Sequence, residues 1–229
     1  MKTKIMVNKT CVTLAESSPA KLSSILKKAL RRSDYVELRF DFMSPTKIPI
    51  ALNLVKKDLD RCIFTLRPRS EGGKFSGNEK NRISILKLLA EYNPLLLDVE
   101  YNTIKNNRNL FRYLKATKTN LLISWHDFKK TPSLYSLKRM LKKMTRYSKS
   151  IKIVTMARSI SDTVKVLSLY KSLPKNTSLV AFAMGDYGRM SRLLCTQMGS
   201  PYTYVTLGKP IAPGQYSLDE VKSLFKLKK

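Results

Sequence analysis

The chain has 229 residues, 43% of them hydrophobic, and its 44 Lys and Arg residues against 16 Asp and Glu residues give a formal net charge of +28. This length and apolar content predict a single domain over residues 1–229 with a full hydrophobic core. No segment approaches the roughly 18 consecutive apolar residues of a membrane span, and the N-terminus lacks a signal-peptide pattern, which excludes a membrane protein and predicts a cytoplasmic one.

The cysteine and histidine content argues against a disulfide framework or a metal site. The three cysteines, Cys11, Cys62 and Cys195, are far apart and each lies in an apolar stretch, so we expect them to be reduced and buried. With a single histidine and no cysteine cluster, a zinc site is not expected.

The strongly basic composition is typical of proteins that bind nucleic acid, because Lys and Arg side chains that contact phosphates release counterions. In this chain, however, the basic residues are scattered over predicted helices and loops. No helix-turn-helix, zinc-finger or aromatic RNA-binding signature accompanies them. The sequence therefore predicts nucleic-acid binding only as a non-specific interaction at low salt.

Short β-rich runs alternate with longer amphipathic stretches along the chain. The predicted strands are residues 10–15, 35–41, 62–67, 95–100, 120–126, 151–157, 178–185 and 202–207. The predicted helices include residues 19–31, 78–92, 132–147 and 162–173, and a further helix that begins at 217. Eight strand–helix units in this length are typical of a TIM (β/α)8 barrel. A doubly wound open sheet is the alternative, but no glycine-rich fingerprint follows the first strand.

In a (β/α)8 barrel the chemistry collects at the C-terminal ends of the strands, and polar residues of this chain follow that pattern. The second strand places Glu37, Arg39 and Asp41 on one face, because successive side chains point to opposite sides. Three ionisable groups on a buried strand need partners. A half-exposed strand with a solvated face is the alternative interpretation.

The next three strands carry further ionisable residues. Arg67 ends the third strand and precedes the loop 71–77, whose glycines make it the best candidate for a mobile lid. The fourth strand carries Asp98 and Glu100 on one face, and arginines on neighbouring strands favour a structural ion-pair network. The fifth strand ends with His126, the only histidine of the chain. A lone histidine is often only a packed residue, but its intrinsic pKa suits it to move protons.

Lys152 lies inside the apolar, β-branched run IKIVTM (151–156) of the sixth strand. An ammonium group in such a strand is costly to desolvate, which favours loss of its proton and a nucleophilic amine. Schiff-base lysines arise in this way. The alternative is an edge strand whose lysine extends into water.

Two more polar residues follow the last strands. Arg192 comes after the seventh strand, and Gln215 comes after the eighth strand in a turn that contains Pro and Gly. An amine, an imidazole, carboxylates, arginines and an amide at the same rim are suited to carbonyl chemistry on an anionic substrate. That chemistry needs neither a metal nor a cofactor.

Six segments together resemble the type I 3-dehydroquinate dehydratases, in the right order over nearly the whole chain. They are VELRFD (36–41), FTLRPRSEGGKFSG (64–77), ISWHDFKKTP (123–132), IKIVTMA (151–157), MGDYGRMSR (184–192) and GSPYTYVTLGKPIAPGQ (199–215). The resemblance implies a hydro-lyase of the shikimate pathway that forms a Schiff base with 3-dehydroquinate and eliminates water to give 3-dehydroshikimate. It also implies an eight-stranded α/β barrel, which here would lack most of the N-terminal hairpin that closes the barrel, and a homodimer.

The resemblance also assigns roles to individual residues. Lys152 matches the Schiff-base lysine, His126 the general acid/base, and Glu71 the carboxylate that orients this histidine. The positions that match polar residues around the ring hydroxyls of the substrate are Glu37, Arg39 and Arg67. The positions that match the groups holding the substrate carboxylate are Arg192 and Gln215. One position departs, because many members have serine where this chain has Ile211, and a hydroxyl donor to the carboxylate is thereby lost.

Two other functions remain open at this stage. A related class I aldolase would use the same lysine chemistry on a different ketone derived from a sugar. A non-catalytic barrel associated with nucleic acid would use the basic surface and would not depend on Lys152.

Overall fold

The computed structural model of the chain describes residues 8–226. Its strands are β1 (Thr10–Leu14), β2 (Tyr35–Arg39), β3 (Cys62–Thr65), β4 (Leu96–Glu100), β5 (Leu121–Asp127), β6 (Ser150–Met156), β7 (Ser178–Met184), β8 (Thr203–Thr206) and β9 (Tyr216–Ser217). Its helices are α1 (Pro19–Leu30), α2 (Ile48–Val55), α3 (Glu79–Glu91), α4 (Tyr101–Asn106), α5 (Arg108–Ala116), α6 (Leu134–Met144), α7 (Ile160–Leu167), α8 (Ser191–Gln197) and α9 (Leu218–Lys226). Strands and helices alternate, as the sequence predicts for an α/β fold.

All eight predicted strands are present, with ends within two residues of the predicted ones. β2 is shorter than predicted because Phe40–Phe42 forms a 3-10 turn. Asp41 therefore leaves the strand, and the prediction that it continues the face of Glu37 and Arg39 is wrong. β9 is an addition of two residues that pairs in parallel with β8.

Serine side chains begin several helices. Ser133 caps α6, and Ser217 forms a reciprocal capping box with Glu220, whose carboxylate accepts from the Ser217 N–H at 2.7 Å. α6 begins two residues later than predicted and α9 begins one residue later. α7 begins two residues earlier than predicted, because the side chain of Ser159 accepts from the N–H of Asp162 and caps the helix there.

The chain divides into two compact units. The first unit is Val12–Trp125, and the second unit comprises residues 8–11 and 126–226. In the first unit the strands from β1 to β5 are hydrogen-bonded in consecutive order, and the registers given for β2 to β5 are parallel. Parallel pairing brings the C-terminal ends of these strands to one edge of the sheet, so the residues that end them become neighbours.

The second unit contains two parallel pairs of strands, β6 with β7 and β8 with β9. Lys152 of β6 is in register with Val180 of β7, and Val154 is in register with Phe182. Lys152 and Phe182 therefore lie on the same face of this pair, on a diagonal.

The cores are formed by the strands and by the apolar faces of the helices. All three cysteines are buried and free, as predicted. Burial raises the pKa of Cys62 and of Cys195 to about 12, which leaves both as inert thiols at neutral pH. Within residues 8–226, the longest apolar helices fall short of what a membrane crossing requires.

Two predictions are left open by this description. The predicted shortening of the N-terminal hairpin concerns residues before Thr10, and residues 1–7 lie outside the described part of the chain. A single domain over residues 1–229 also stays a prediction, because the chain is described here as two units.

Candidate active site

Glu37 of β2 is held by the strands on both sides of it. Thr13 on β1 donates to its Oε2 at 3.1 Å, and Thr65 on β3 donates to its Oε1 at 2.9 Å. The side chain is 3% exposed, so the alternative of a solvated strand face is wrong for this residue. A buried carboxylate fixed by two hydroxyl groups can act as an oriented acceptor for a polar ligand.

Arg39 ends β2 and is held by the 3-10 turn that follows. Its Nε and Nη2 donate to the two carboxylate oxygens of Asp41, each at 2.8 Å. Asp41 in turn accepts from the backbone N–H of Lys74 at 2.9 Å. The bidentate pair fixes the guanidinium plane of Arg39. The hydrogen bond from Lys74 to Asp41 joins the turn after β2 to the loop after β3.

Arg67 lies directly after β3 and has two acidic partners. Its Nη2 donates to Asp98 at 2.6 Å, and its Nη1 donates to Glu100 at 2.7 Å and to Ser124 at 2.6 Å. The residue is 3% exposed. Burial alone lowers the pKa of Arg67, but the charges of Asp98 and Glu100, and then of Glu71, outweigh burial and raise it above its ordinary value.

A second buried arginine, Arg82 of α3, extends this network. Its Nη1 donates to the other oxygen of Glu100 at 2.7 Å, and its Nε donates to Glu79 at 2.8 Å. Its Nη2 donates to the other oxygen of Glu79 at 2.9 Å and to Thr103, and its Nη1 also donates to the carbonyl of Leu66 at 3.1 Å. The predicted ion-pair network around Asp98 and Glu100 is confirmed.

Glu71 is buried at the end of a 3-10 turn, in the loop 71–77 that packs against Arg67. A Cβ added to Gly73 would lie 2.0 Å from the carbonyl oxygen of Arg67, so only glycine fits this approach. Phe75 donates its N–H to the same oxygen at 3.4 Å and is 6% exposed. The glycine thus serves close packing, and a lid movement of the loop stays a prediction.

His126 lies near the C-terminal end of β5 and is half-buried. Its ring stacks on that of Phe128, with 6.3 Å between the centroids and 25° between the planes. Asp127 accepts from the backbone N–H groups of Lys129 and Lys130 at 2.8 and 3.0 Å, which turns the chain immediately after the histidine. A half-buried imidazole at a strand end is accessible to a ligand and restrained in orientation.

Lys152 is buried in β6, with 5% of the residue exposed. The alternative of an edge strand with a solvated lysine is therefore wrong. Its Nζ lies 4.2 Å from the centroid of the Tyr204 ring on β8, over the face of the ring. The amine nitrogen is thus held in a largely dry environment, against an aromatic surface.

Arg192 is placed by a tight turn between β7 and α8. The hydroxyl of Ser191 accepts from the N–H of Ala183 at 2.8 Å and donates to the carbonyl of Gly188 at 2.5 Å. A Cβ added to Gly188 would lie 2.5 Å from the carbonyl carbon of Ala183. The segment GDYGRMSR therefore folds back onto β7, and this directs the first turn of α8.

The guanidinium of Arg192 is buried without an acidic partner. Its Cζ lies 4.3 Å from the centroid of the Phe182 ring, and its Nη2 donates to the carbonyl of Pro213 at 3.0 Å. Among residues 8–226, its Nε has no hydrogen-bond partner, and no carboxylate forms an ion pair with it. Burial lowers the pKa of Arg192 to about 10. This is the surrounding expected of a cation whose anion is a ligand.

Gln215 lies in the turn after β8, close to the carbonyl that Arg192 contacts. Its Oε1 accepts from the N–H of Ile211 at 3.0 Å, so the amide NH2 group faces the other side. Gly214 has φ +71° and its Cβ position would lie 3.0 Å from the carbonyl oxygen of Gly185. Because Ile211 contributes its backbone N–H, the orientation of the amide does not depend on the side chain at this position.

Sequence reasoning did not single out Phe182 and Tyr204, the rings that support the two cations. Both belong to predicted strands, where aromatic residues normally indicate core packing. The sequence gives only a weak signal for this arrangement. Periodicity cannot show that a cation lies over a ring, since this depends on residues distant in the sequence.

Among residues 8–226, no group of three or more His, Cys, Asp or Glu side chains is arranged to hold a metal ion. The buried carboxylates of Asp41, Asp98 and Glu100 are instead bonded to Arg39, Arg67 and Arg82, and that of Glu37 is bonded to hydroxyl groups. The chemistry supported by the second unit is that of an amine, an imidazole and a guanidinium.

Comparison with known proteins identifies the family to which the chain belongs. A model of the family described as type I 3-dehydroquinase matches residues 10–229. The 3-dehydroquinate dehydratase of Dehalococcoides mccartyi strain 195 is 37% identical over 205 residues, which cover 87% of this chain and 89% of that protein. Most of the length of each protein is therefore shared.

Solved structures give the same result for the fold. The crystal structure of 3-dehydroquinate dehydratase from Geobacillus kaustophilus HTA426 has a TM-score of 0.87 at 22% identity, over 96% of this chain and 91% of that chain. The structure of the enzyme of that name from Aquifex aeolicus VF5 has a TM-score of 0.78 at 31% identity, over 96% and 98%. The predicted (β/α)8 fold class is confirmed. By family model and by sequence identity, this chain belongs to the type I 3-dehydroquinase family.

Proposed function

We propose that the chain is a 3-dehydroquinate dehydratase, a hydro-lyase of the shikimate pathway of aromatic amino-acid biosynthesis that converts 3-dehydroquinate to 3-dehydroshikimate. The observation that carries this proposal is the position of Lys152, which is 5% exposed within β6 with its Nζ over the Tyr204 ring. A buried amine beside an apolar surface is suited to form an imine with a ketone. Membership of the type I family supports the choice of substrate.

The reaction begins when the neutral amine of Lys152 attacks the ketone carbon of the substrate. Loss of water gives a protonated imine, which acidifies the neighbouring C–H bond. His126 removes that proton to form an enamine, and then protonates the tertiary hydroxyl group as it leaves as water. Hydrolysis of the imine releases the product and the lysine. The reaction involves no net oxidation and the iminium accepts the electron pair, so we propose no cofactor and no metal.

Arg192 holds the substrate carboxylate in this proposal. Its guanidinium is 2% exposed, and within residues 8–226 its Nε has no other partner. A buried guanidinium binds a carboxylate more strongly than an exposed one, because water does not compete for the same donors. The amide of Gln215 supplies a further donor. Ile211 contributes no hydroxyl group, so the chain binds this carboxylate with one donor fewer than many relatives.

The first unit supplies the residues proposed to contact the substrate hydroxyls. Glu37 and Arg39 are held in fixed positions by hydrogen bonds on β2 and in the turn after it. Arg67 uses three N–H groups for its partners in the first unit, which leaves the N–H of Nε and one of Nη2 for a hydroxyl. Glu71 is proposed to orient His126, and its support is the family resemblance together with its burial.

The proposal is tested by adding 3-dehydroquinate to the purified protein and following the ultraviolet absorbance of the conjugated enone product. Lys152→Ala removes the amine, and Lys149→Ala is the matched control because this lysine is exposed just before the same strand. We expect turnover by the wild type and the control, and none above background by Lys152→Ala. A wild type without turnover contradicts the proposal and favours the aldolase or nucleic-acid alternatives. An active Lys152→Ala variant contradicts the role of the Lys152 amine.

We also propose that the protein is a homodimer, as the resemblance implies. Support comes from exposed apolar side chains on and near α7 and α8: Ile160 is 70% exposed, Val164 56%, Tyr187 57% and Met190 54%. The hydroxyl of Thr163 donates to the carbonyl of Tyr187 at 2.7 Å and so joins the two segments. We call these four exposed residues the apolar patch.

Two basic residues next to the apolar patch have acidic partners, which matters for a chain with a net charge of +28. Lys165 pairs with Asp162 at 2.9 Å, and Arg189 pairs with Glu220 at 2.8 Å. A second copy can approach this face with little charge repulsion. Sedimentation velocity tests the proposal: we expect a dimer, and a monomer for Val164→Arg. A monomeric wild type contradicts it.

The basic surface is proposed to bind nucleic acid only non-specifically, in a protein of the cytoplasm. No acidic residue occurs between Asp127 and Asp162, and α6 in this stretch exposes Lys138, Lys142 and Lys143. Such a surface binds phosphates with an affinity that falls steeply with salt. We expect binding of unrelated duplexes at low salt that disappears near physiological salt. Sequence-selective binding that survives at that salt contradicts this proposal.

A further inference from the structure

The Lys152 amine and the Arg192 guanidinium, both in the second unit, each lie over an aromatic ring, and the two rings contact each other. Nζ of Lys152 lies 4.2 Å from the centroid of the Tyr204 ring, and Cζ of Arg192 lies 4.3 Å from the centroid of the Phe182 ring. The two ring centroids are 6.4 Å apart, with 61° between the planes. Phe182 and Tyr204, here called the aromatic pair, therefore connect the amine to the guanidinium.

We propose that the aromatic pair sets the position of the Lys152 amine relative to the Arg192 guanidinium, and thereby the separation of ketone and carboxylate that a substrate must have. The proposal rests on the proposed function, in which these two groups bind the ketone and the carboxylate. Phe182 and Tyr204 act as positioning residues and determine specificity.

The backbone holds the aromatic pair rigidly. Phe182 is in register with Val154, two residues beyond Lys152 on the same strand face, so its ring lies on the diagonal from the lysine. The Tyr204 ring is fixed edge-on by Tyr202, with 5.4 Å between centroids and 86° between planes. All three rings are buried. Neither ring can turn away from its cation without displacing a packed neighbour.

An aromatic support differs from a carboxylate in one chemical respect. A carboxylate would hold a cation by neutralising it, and it would then compete with an anionic substrate for the same donors. The face of a ring attracts a cation through its quadrupole and accepts none of its strong hydrogen bonds. The charge of Arg192 therefore remains available to a ligand, and the ring under Lys152 accommodates both an ammonium and an iminium nitrogen.

A fixed amine and a fixed guanidinium select the shape of the substrate. In 3-dehydroquinate one ring carbon separates the ketone carbon from the carbon that bears the carboxylate. The aromatic pair therefore favours cyclic keto acids with this 1,3 relationship. We expect weaker binding of a keto acid with the two groups on adjacent or opposite ring carbons.

Leucine substitutions remove each ring, and interchange of Phe and Tyr provides the matched controls. We expect Phe182→Leu to raise KM for 3-dehydroquinate roughly 3- to 30-fold, with kcat changed less than about 2-fold, because carboxylate binding is weakened. We expect Tyr204→Leu to lower kcat by a similar factor, with a smaller effect on KM. Phe182→Tyr and Tyr204→Phe keep the rings and should stay within about 3-fold of the wild type.

A second measurement separates the charge interaction from packing. Replacing Phe182 by 3,4,5-trifluorophenylalanine keeps the size of the ring but withdraws electron density from its face, which weakens its attraction for a cation. We expect KM to rise by about 3-fold or more. The same replacement at buried Phe64, which contacts the edge of Phe40 at 5.0 Å and carries no cation, should leave KM unchanged.

The outcomes are distinct. Leucine variants that keep wild-type kcat and KM, or an unchanged KM after fluorination at 182, overturn the proposal. So does a Tyr204→Phe variant as impaired as Tyr204→Leu, because the hydroxyl group and not the ring would then matter. Turnover by the wild type is measured first; if it is absent, the proposed function fails, and this proposal fails with it.

Discussion

Arg67 in the first unit and Arg192 in the second are both buried arginines, 3% and 2% exposed, yet their surroundings are opposite. Arg67 donates to the carboxylates of Asp98 and Glu100. Arg192 meets the face of Phe182 and a backbone carbonyl. Accordingly the pKa of Arg67 is raised by its acidic partners although burial opposes this, whereas burial lowers the pKa of Arg192 to about 10.

The difference shows how the fold assigns two roles to one residue type. The charge of Arg67 is compensated within the protein, so the residue fixes the ends of three neighbouring strands. The charge of Arg192 is not compensated by any of residues 8–226, so the folded protein retains an unfavourable cation that an anion can stabilise. Partners, not residue type or burial, separate an arginine whose charge is compensated within the protein from one whose charge remains for an anionic ligand.

The largest effect is expected at Lys152. Arg192 can be a carboxylate-binding residue of this enzyme only if the Lys152 amine reacts with the ketone of the same substrate. Lys152→Ala should reduce kcat by about four orders of magnitude or more, since no other group replaces the nucleophile. Circular dichroism and the urea midpoint should stay close to those of Lys149→Ala. Measurable single-turnover product formation by Lys152→Ala would show that imine formation is not required.

Removal of Arg67 should destabilise the fold, because its charge is compensated within the protein. Arg67→Met leaves Asp98 and Glu100 buried with unpaired charge, and we expect the free energy of unfolding to fall by about 3–5 kcal/mol. Urea denaturation measures this loss. The triple variant Arg67→Met, Asp98→Asn and Glu100→Gln should recover part of the stability, and a single variant as stable as the wild type contradicts the assignment of a structural role.

Removal of Arg192 should not lower the free energy of unfolding, in contrast to removal of Arg67. Below a pH of about 10 the folded state disfavours the protonated guanidinium relative to the unfolded state, so Arg192→Met should leave the free energy of unfolding unchanged or raise it. Its kcat/KM for 3-dehydroquinate should fall by an amount that corresponds to roughly 2–4 kcal/mol, mainly through KM. Urea denaturation and steady-state kinetics on one preparation give both values. A destabilised variant with an unchanged KM would reverse the roles of the two arginines.

The smallest of these effects is expected at Gly73, which packs against the backbone carbonyl of Arg67. Gly73→Ala forces a Cβ against the carbonyl oxygen of Arg67, and we expect a loss of roughly 1–3 kcal/mol of stability. Gly208→Ala is the control, because no atom lies within 4 Å of the Cβ position there. Equal effects of the two substitutions on the urea midpoint would mean that the loop does not pack against Arg67.

The sequence allowed the strands to be predicted and the candidate site residues to be proposed, because both depend on local pattern. Strand ends follow from β-branched runs, and polar residues inside or after such runs indicate candidate site residues, as at Lys152 and Arg67. The network around Asp98 was predictable for the same reason, since parallel strands bring their ends together. The shortening of β2 was not, because Phe40–Phe42 forms a turn that strand alternation does not distinguish.

The aromatic supports could not be predicted from pattern. Tyr204 lies 52 positions after Lys152, and the contact between them depends on how β6, β7 and β8 are packed. The absence of an acidic partner for Arg192 among residues 8–226 is likewise a property of the packed structure. Sequence therefore indicated which groups are candidates for the chemistry, whereas packing shows what holds them.

The most direct test of the central claim is to locate the imine. The protein is incubated with 3-dehydroquinate, reduced with borohydride and digested, and the modified peptide is identified by mass spectrometry. Imine formation at Lys152 predicts a substrate-dependent adduct on the peptide that contains this residue and none in Lys152→Ala. An adduct on another lysine, or turnover without any trapped adduct, would contradict the assignment of Lys152 as the residue that binds the ketone.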